Sequence, residues 1–275
     1  MRGPAANAEL ALLLEVAGTP KPGNVDRRCD LETLRFEHFL AGAVGAREGL
    51  ELAEDGAPIG DAFETAVLGM SEQSGGNTQF GCLLLLVPLV KAATAGDLSP
   101  RGVGEVCEST TVADAAGFYR AFEHVDVAVG DPPKGMDALD VHRGADAVPT
   151  LRERDLTLLD VMARSEDDAN AREWHEGFPR TFRAAESIAA DEGPITDRAA
   201  RAFLDLLAET EDTLVRTQHG ETVAREVWQR AGRIDSRAEA EEWADELVAR
   251  GINPGTTADL TAAALFVALE RGVEP

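Results

Sequence analysis

The sequence has few cysteines and no long apolar segment. Its three cysteines, Cys29, Cys82 and Cys107, lack the spacing of a metal site, and so sparse and odd a set favours reduced thiols over a disulfide framework. The most apolar run, from Cys82 to Val90, is too short to span a bilayer. Residues 1–9 lack the basic start and apolar middle of a signal peptide. We therefore expect a soluble, cytoplasmic protein with no membrane partner.

Lysine is also scarce, occurring only at Lys21, Lys91 and Lys134. Fifty acidic residues against twenty-six basic ones give a net charge of -24. Such an acidic surplus with few lysines is typical of halophilic proteins, in which charge maintains solubility and salt screens the repulsion; an acidic mesophilic protein is the alternative. Nucleic acid is not expected as a partner, because binding it depends on a basic surface.

Several familiar catalytic motifs are missing from the chain. There is no G-x-x-x-x-G-K-[ST] phosphate loop, no G-x-G-x-x-G after a strand, no H-E-x-x-H and no G-x-S-x-G. The sequence therefore gives no sign of a P-loop nucleotidase, a Rossmann dehydrogenase, a zincin or an α/β-hydrolase.

Apolar residues recur at helical spacing through nearly the whole chain, and only residues 125–129 alternate as a strand would. The pattern predicts an all-α protein, with residues 1–275 forming one multi-helix domain of bundle-like or orthogonal packing whose polar loops converge on one site. The predicted helices cover residues 8–17, 31–53, 61–71, 80–95, 111–124, 156–164, 169–190, 197–210, 221–231, 236–250 and 257–271. The helix from Phe80 is apolar all round, which predicts a central position.

Four polar stretches interrupt these helices, at residues 19–26, 75–81, 211–220 and 253–260. In the first, two prolines and a glycine predict a rigid loop, on which we expect Lys21 and Asp26 to be exposed. A cation and a carboxylate on such a loop could hold a phosphate and its metal, or be solvated charges on a turn. The second and fourth stretches place glycine, hydroxyl and amide groups at a helix start, which suits either anion binding or ordinary capping.

Together these stretches resemble the triphosphoribosyl-dephospho-CoA synthase family. The resemblance rests on Lys-Pro-Gly-x-Val-Asp, Asn-Thr opening an apolar helix, Asp-Thr-x-x-Arg and Pro-Gly-x-x-Ala-Asp-Leu, in that order. It implies an all-helical transferase that serves cofactor biosynthesis. The implied reaction joins ATP to a ribose hydroxyl of dephospho-CoA through an α-glycosidic bond, releases adenine and uses a divalent metal on the triphosphate.

The resemblance also implies roles for individual residues. We predict Asp26 and Asp212 as catalytic groups, and Asp26, Asp212 and Asp259 as ligands of Mg²⁺; which carboxylate is the base and which binds metal stays open. The predicted nucleotide- and phosphate-binding residues are Lys21, Gly23, Asn77, Thr78, Arg216 and Gly255.

One departure from the family pattern leaves alternatives open. Where the bacterial enzymes resembled here have a His-Lys pair after Asn-Thr, this chain has Gln79 and Phe80. The donor could instead be phosphoribosyl pyrophosphate with a pterin-type or other cofactor precursor as acceptor. A non-catalytic helical nucleotide-binding protein is the other alternative, and a homodimer is compatible with the sequence.

Overall fold

A computed structural model describes residues 2–130, 132, 135–165 and 167–275. This part of the chain contains no β-strand, and Asp26 and Cys29 form an isolated antiparallel bridge. The helices are α1 (Pro4–Ala17), α2 (Phe36–Gly45), α3 (Arg47–Glu54), α4 (Ile59–Met70), α5 (Phe80–Thr94), α6 (Pro100–Glu108), α7 (Val112–Ala121), α8 (Val148–Glu153), α9 (Leu158–Ala163), α10 (Ala169–Glu176), α11 (Pro179–Ala190), α12 (Ile195–Glu209), α13 (Thr213–His219), α14 (Glu221–Ala231), α15 (Arg237–Ala249) and α16 (Gly255–Glu270). Two short 3₁₀ segments, Asp137–Leu139 and Val141–Ala147, precede α8. The predicted all-α fold is confirmed.

Two helices form the centre of the molecule. Helix α5 is buried along nearly its whole length, as its all-round apolar sequence predicts, and it carries Pro88 in its interior. Helix α16 is buried from Thr256 to Leu269, apart from the half-buried Asp259, and packs against α1, α5, α11 and α12. Within the described ranges, neither these nor any other helix is long and apolar enough to cross a membrane.

An aromatic cluster joins α4, α5 and α7. The ring centroids of Phe80 and Phe122 are 4.7 Å apart, and those of Phe63 and Phe80 are 5.1 Å apart in an edge-to-face arrangement. Phe118 completes the cluster beside Phe122 at 5.2 Å. Rings in such contacts contribute stabilisation beyond the apolar area they bury. The cluster fixes the first turn of α5, which carries part of the site described below.

Two long predicted helices are each divided in the structure. The predicted helix over residues 31–53 is wrong in its first five residues and is broken at Ala46, where α2 ends and α3 begins. There a Cβ on Gly45 would lie 2.1 Å from the carbonyl oxygen of Gly69, so the close crossing with α4 fixes the chain path. The predicted helix over residues 169–190 divides at Phe178, which has a φ of 61° and precedes Pro179. A residue before proline disfavours the right-handed helical region, so the helix restarts.

The polar stretch at residues 211–220 is itself mostly helical. Asp212 caps α13, and its Oδ1 accepts a hydrogen bond of 3.0 Å from the backbone N–H of Val215. The prediction missed this helix because its seven residues bury only one apolar side chain, too few for a periodic signal. The strand-like residues 125–129 form no strand, since no second strand lies beside them in the described chain.

Candidate active site

A cavity of about 1020 Å³ opens among the starts of α5, α10, α13 and α16. Its volume reaches the upper end of the usual range for small-molecule sites, which suits a ligand of nucleotide size. Part of its wall is apolar and includes Phe80, Phe118 and Phe122 of the aromatic cluster. Another part is polar and includes Asn170 and Asp259, which are hydrogen-bonded to each other.

The lining of this cavity is strongly acidic. Among the described residues only two arginines, Arg164 and Arg216, contribute positive charge. The carboxylates that line it are Glu15, Asp126, Asp140, Asp167, Asp168 and Asp259. A polyphosphate would therefore meet net negative charge here, and it would need a cation to accompany it.

Asp259 lies in the first turns of α16, facing the start of α5. Its Oδ1 accepts a hydrogen bond of 3.2 Å from the thiol of Cys82, and its Oδ2 accepts one of 2.8 Å from Nδ2 of Asn170. A Cβ on Gly81 would lie 2.0 Å from Oδ2 of Asp259, so only glycine allows this approach. The contact requires a residue without a side chain rather than an unusual backbone conformation.

The pKa of Asp259 is raised to about 7. Removal from water is the largest cause, the charges of Asp212 and Asp168 add to it, and the hydrogen bonds from Asn170 and Cys82 oppose it. A carboxylate of this kind exchanges its proton near neutral pH, as a general base must. Asp259 is thus suited to accept a proton from a ligand in the cavity.

Asp212 lies behind this wall rather than on it. It is 3% exposed, and its Oδ2 accepts hydrogen bonds from both the backbone N–H and the hydroxyl of Thr257, at 2.8 and 2.7 Å. Burial raises the pKa of Asp212, while these donors lower it. With Val215 bonded to the other oxygen, the carboxylate joins the start of α13 to the start of α16.

The predicted exposure of Lys21 is wrong. Lys21 is completely buried and forms an ion pair with Glu15, itself only 2% exposed. Its ammonium also lies 6.0 Å from the ring centroid of Phe203. Glu15 lines the cavity and Lys21 does not, so the cation neutralises a carboxylate of the cavity wall from behind.

Asp26 is buried too, contrary to the prediction. Its carboxylate accepts hydrogen bonds from backbone groups of the loop that carries it. Oδ2 accepts a hydrogen bond of 3.1 Å from the backbone N–H of Lys21, and Oδ1 accepts bonds of 2.7 and 3.1 Å from the N–H groups of Arg28 and Cys29. Three backbone donors satisfy most of its acceptor capacity. Asp26 does not line the cavity.

The rest of the loop at residues 19–26 packs against the fourth polar stretch, residues 253–260. Gly23 has a φ of 79°, and a Cβ there would lie 2.2 Å from the carbonyl oxygen of Ile252. Next to it, Nδ2 of Asn24 donates a hydrogen bond of 3.0 Å to Oδ1 of Asn253. Asn24 and Asn253 both line the cavity, so the loop reaches the site through Asn24.

The structure brings about half of the predicted site residues to the cavity. The residues that line it are Asn77, Thr78, Arg216, Gly255 and Asp259; those that lie outside its lining are Lys21, Gly23, Asp26 and Asp212. Asn77 also makes a capping hydrogen bond at the start of α5, where Gln79 is the N-cap residue: Oδ1 of Asn77 accepts the N–H of Phe80 at 3.0 Å. Capping and lining the cavity are therefore compatible at this position.

Sequence reasoning missed several residues of the cavity. Asp168 caps α10, accepting the N–H of Ala171 at 3.0 Å, and burial raises its pKa. Asn170 follows on the same helix, and Glu15 lies on α1. An Asp before a helical run was a readable capping signal for Asp168. Asn170 and Glu15 sit inside predicted helices, and nothing in their spacing indicates that they face a cavity.

The described residues contain no group of three or more His, Cys, Asp or Glu side chains that could hold a metal ion. Asp26, Asp212 and Asp259 accordingly form no three-ligand cluster. Mg²⁺ does not require three protein ligands, because it is commonly held by one or two carboxylates together with substrate phosphates. Asp167 and Asp168 line the cavity next to Arg216, which donates a hydrogen bond to the carbonyl oxygen of Asp167. Carboxylate oxygens at the edge of a nucleotide-sized cavity are ligands of the kind that Mg²⁺ accepts.

Comparison with known proteins relates the chain to one family model and to solved structures. The family model CitG, described as ATP:dephospho-CoA triphosphoribosyl transferase, matches residues 1–274. A crystal structure from Archaeoglobus fulgidus, provisionally described as a triphosphoribosyl-dephospho-CoA synthase, has a TM-score of 0.72 and 25% sequence identity; the match covers 85% of this chain and 99% of that one. No curated protein sequence matches the chain.

Proposed function

The chain belongs to the CitG family, ATP:dephospho-CoA triphosphoribosyl transferase, and we propose that its reaction takes place at Asp259 in the cavity. The enzyme transfers the triphosphoribosyl group of ATP to dephospho-CoA. The observation that carries the assignment of the site is the pairing of Asp259 with Asn170 in an acidic cavity of nucleotide size.

Asp259 accepts the proton of the acceptor hydroxyl. The C–N bond between ribose and adenine breaks with its electrons leaving on adenine, which takes up a proton from water. The acceptor oxygen forms the new bond to the same ribose carbon, and its proton passes to Asp259. The ribose gains positive charge as the C–N bond weakens, so nearby carboxylates stabilise it. This role needs an ionised Asp259, which its pKa of about 7 permits near neutral pH.

The triphosphate binds at the polar wall near Arg216. The guanidinium is directed by its bond to the carbonyl oxygen of Asp167, at the edge of the cavity. Gly255 and Thr256 add the first turn of α16, whose dipole favours an anion. Asn77 and Thr78 at the start of α5 are the other predicted phosphate-binding residues on the cavity wall.

Asp167 and Asp168 are the residues that would hold Mg²⁺. When bound, the ion neutralises phosphate charge in a cavity that holds more carboxylates than arginines. Asp168→Asn should raise the Mg²⁺ concentration required for ATP binding, measured calorimetrically, as well as that required for turnover. Asp126→Asn, a change of the same charge elsewhere in the lining, is the matched control. Equal Mg²⁺ dependence in the two variants would remove Asp168 from this role.

This proposal moves the proton-accepting role away from Asp26 and Asp212. Both carboxylates already accept three hydrogen bonds from protein donors, and neither lines the cavity. Their function is to fix the loop and the helix starts that present Asp259. Lys21 likewise acts through Glu15 instead of touching phosphate.

The enzyme is also suited to work at high ionic strength. A net charge of -24 and an acidic cavity both oppose the approach of a polyanionic substrate at low salt. At ~1 M salt the screening length is roughly 3 Å, which removes most of that repulsion.

The decisive experiment incubates the protein with ATP, dephospho-CoA, Mg²⁺ and molar KCl. Free adenine and a triphosphoribosyl adduct of dephospho-CoA, identified by mass spectrometry, should appear in equal amounts, and Asp259→Asn should abolish both. Adenine without the adduct would indicate another acceptor. Turnover only with phosphoribosyl pyrophosphate would indicate another donor. Normal turnover by Asp259→Asn would place the chemistry elsewhere.

A further inference from the structure

Asn170 is a buried amide with one unused acceptor. It is 6% exposed, lies in the first turn of α10 and lines the cavity. Its Nδ2 donates to Oδ2 of Asp259 at 2.8 Å, whereas no described residue donates a hydrogen bond to its Oδ1. Leaving a buried acceptor unpaired is unfavourable, because the lost hydrogen bond to water is not replaced. A donor brought by a ligand in the cavity would recover that cost.

The orientation of this amide is determined by its neighbours. A Cβ on Gly81 would lie 2.7 Å from Nδ2 of Asn170 and 2.0 Å from Oδ2 of Asp259, so the pair packs directly against the first turn of α5. Rotating the amide by half a turn would place Oδ1 against the carboxylate oxygen of Asp259. Two acceptors in contact repel, and the repulsion is strongest when the carboxylate is ionised. The amide oxygen is thus held next to Asp259 as an acceptor for a donor other than Asp259.

An acceptor amide beside a proton-accepting carboxylate matches two adjacent hydroxyls of one sugar. We propose that Asn170 and Asp259 form a subsite for the ribose cis-diol of dephospho-CoA, in which Asp259 receives the reacting hydroxyl and Oδ1 of Asn170 accepts a hydrogen bond from the hydroxyl next to it. This inference rests on the proposed function. Asn170 is a positioning residue here: it orients the sugar and takes no proton.

The subsite also accounts for selection of the dephospho form. In dephospho-CoA both hydroxyls of the diol are free to donate. A phosphate on the neighbouring hydroxyl, as in coenzyme A, removes that donor and places negative charge against an amide oxygen and a carboxylate. Sites built to hydrogen-bond a hydroxyl reject analogues without it by large factors, because their own buried polar groups are left unpaired.

The test compares dephospho-CoA with its deoxy analogue that keeps the reacting hydroxyl and lacks the neighbouring one. In the wild type the analogue should lose about 10- to 100-fold in kcat/KM. In Asn170→Ala the two substrates should be used equally within about threefold, because the partner of the missing hydroxyl is gone. The control is Asn253→Ala, which removes another amide of the same cavity and should keep the wild-type ratio.

Binding measured by calorimetry without ATP separates this subsite from the reaction. The deoxy analogue should bind the wild type more weakly than dephospho-CoA and bind Asn170→Ala equally well. Diol-dependent binding without turnover of dephospho-CoA would overturn the proposed function and leave the subsite standing. A wild type that binds and uses both compounds equally would overturn the subsite, whether or not Asn170→Ala folds. An unchanged ratio in Asn170→Ala would overturn it as well.

Discussion

Asp212 and Thr257, 45 residues apart, are joined by two hydrogen bonds to a single carboxylate oxygen. Oδ2 of Asp212 accepts both the N–H and the hydroxyl of Thr257, at 2.8 and 2.7 Å. Thr257 stands two residues before Asp259, so this link fixes the turn of α16 that presents the proposed base. Two of the sequence motifs thus meet through a structural contact behind the site.

Removal of the Asp212 carboxylate should therefore destabilise the protein. Asp212→Ala leaves the buried N–H and hydroxyl of Thr257 without an acceptor, which should lower the free energy of unfolding by about 1–3 kcal/mol. Asp212→Asn keeps one acceptor and should cost less. Urea unfolding measures both. An Asp212→Asn variant with wild-type stability and no turnover would instead support the catalytic role that the sequence predicted.

Lys21 should matter for folding more than for phosphate binding. Lys21→Met leaves the Glu15 carboxylate buried without its cation, and breaking a buried ion pair in this way costs about 3–5 kcal/mol. The double change Glu15→Gln with Lys21→Met removes both charges and should recover most of the lost stability. A stable Lys21→Met variant with weakened ATP binding would show that the lysine reaches the nucleotide after all.

Turnover should depend on the ionisation of Asp259. Because its pKa in the folded protein is about 7, kcat/KM should rise with pH through about 7 and level off above it. Asp259→Asn should lose activity at every pH tested. An activity that is flat from pH 5.5 to 8.5 would contradict the assignment of this group as the base.

The raised pKa of Asp259 also predicts how the free energy of unfolding depends on pH. The folded protein binds a proton on Asp259 more tightly than the unfolded chain, whose pKa is near the ordinary value of 3.8. This contribution to the free energy of unfolding is therefore largest below about pH 4, falls as pH rises towards about 7 and is constant above that. The free energy of unfolding, plotted against pH for the wild type and Asp259→Asn, should differ in slope across that window. Above it the two plots should run parallel.

Gly81 should be intolerant of even the smallest side chain. A Cβ there would lie 2.0 Å from Oδ2 of Asp259, so Gly81→Ala should displace the carboxylate and lower kcat/KM by about 10- to 100-fold. Gly104→Ala is the matched control, because Gly104 lies within helix α6 with no atom near its added Cβ. That control should keep its activity and gain about 0.4–1 kcal/mol. Equal activity in the two variants would contradict the close approach.

High salt should stabilise the protein through screening. With a net charge of -24, the melting temperature should rise steeply from low salt to ~1 M KCl. Sucrose at equal osmolality is the control, since it leaves charge repulsion unscreened. A melting temperature that does not change with KCl would remove the proposal of adaptation to high salt.

The sequence alone determined most of the helical architecture and the family. Apolar residues at helical spacing located the central helix from Phe80, because burial of a helix on all sides leaves an unbroken apolar run. Capping chemistry is equally local: Ser99, directly before Pro100, accepts the N–H of Gly102 at 3.1 Å at the start of α6. The motifs identified the family because their order and spacing are properties of the chain itself.

Only the tertiary structure decided which polar residues reach the cavity. Lys21 and Asp212 were predicted as site residues, yet both are buried against partners within the protein. Glu15, on the helix that precedes the loop, pairs with Lys21, and Thr257, 45 residues away, bonds to Asp212. Asn170 carried no sequence signal, yet helix packing places it against Asp259. Motif spacing fixes where a charge lies along the chain, whereas its partner and its exposure depend on which distant segments pack against it.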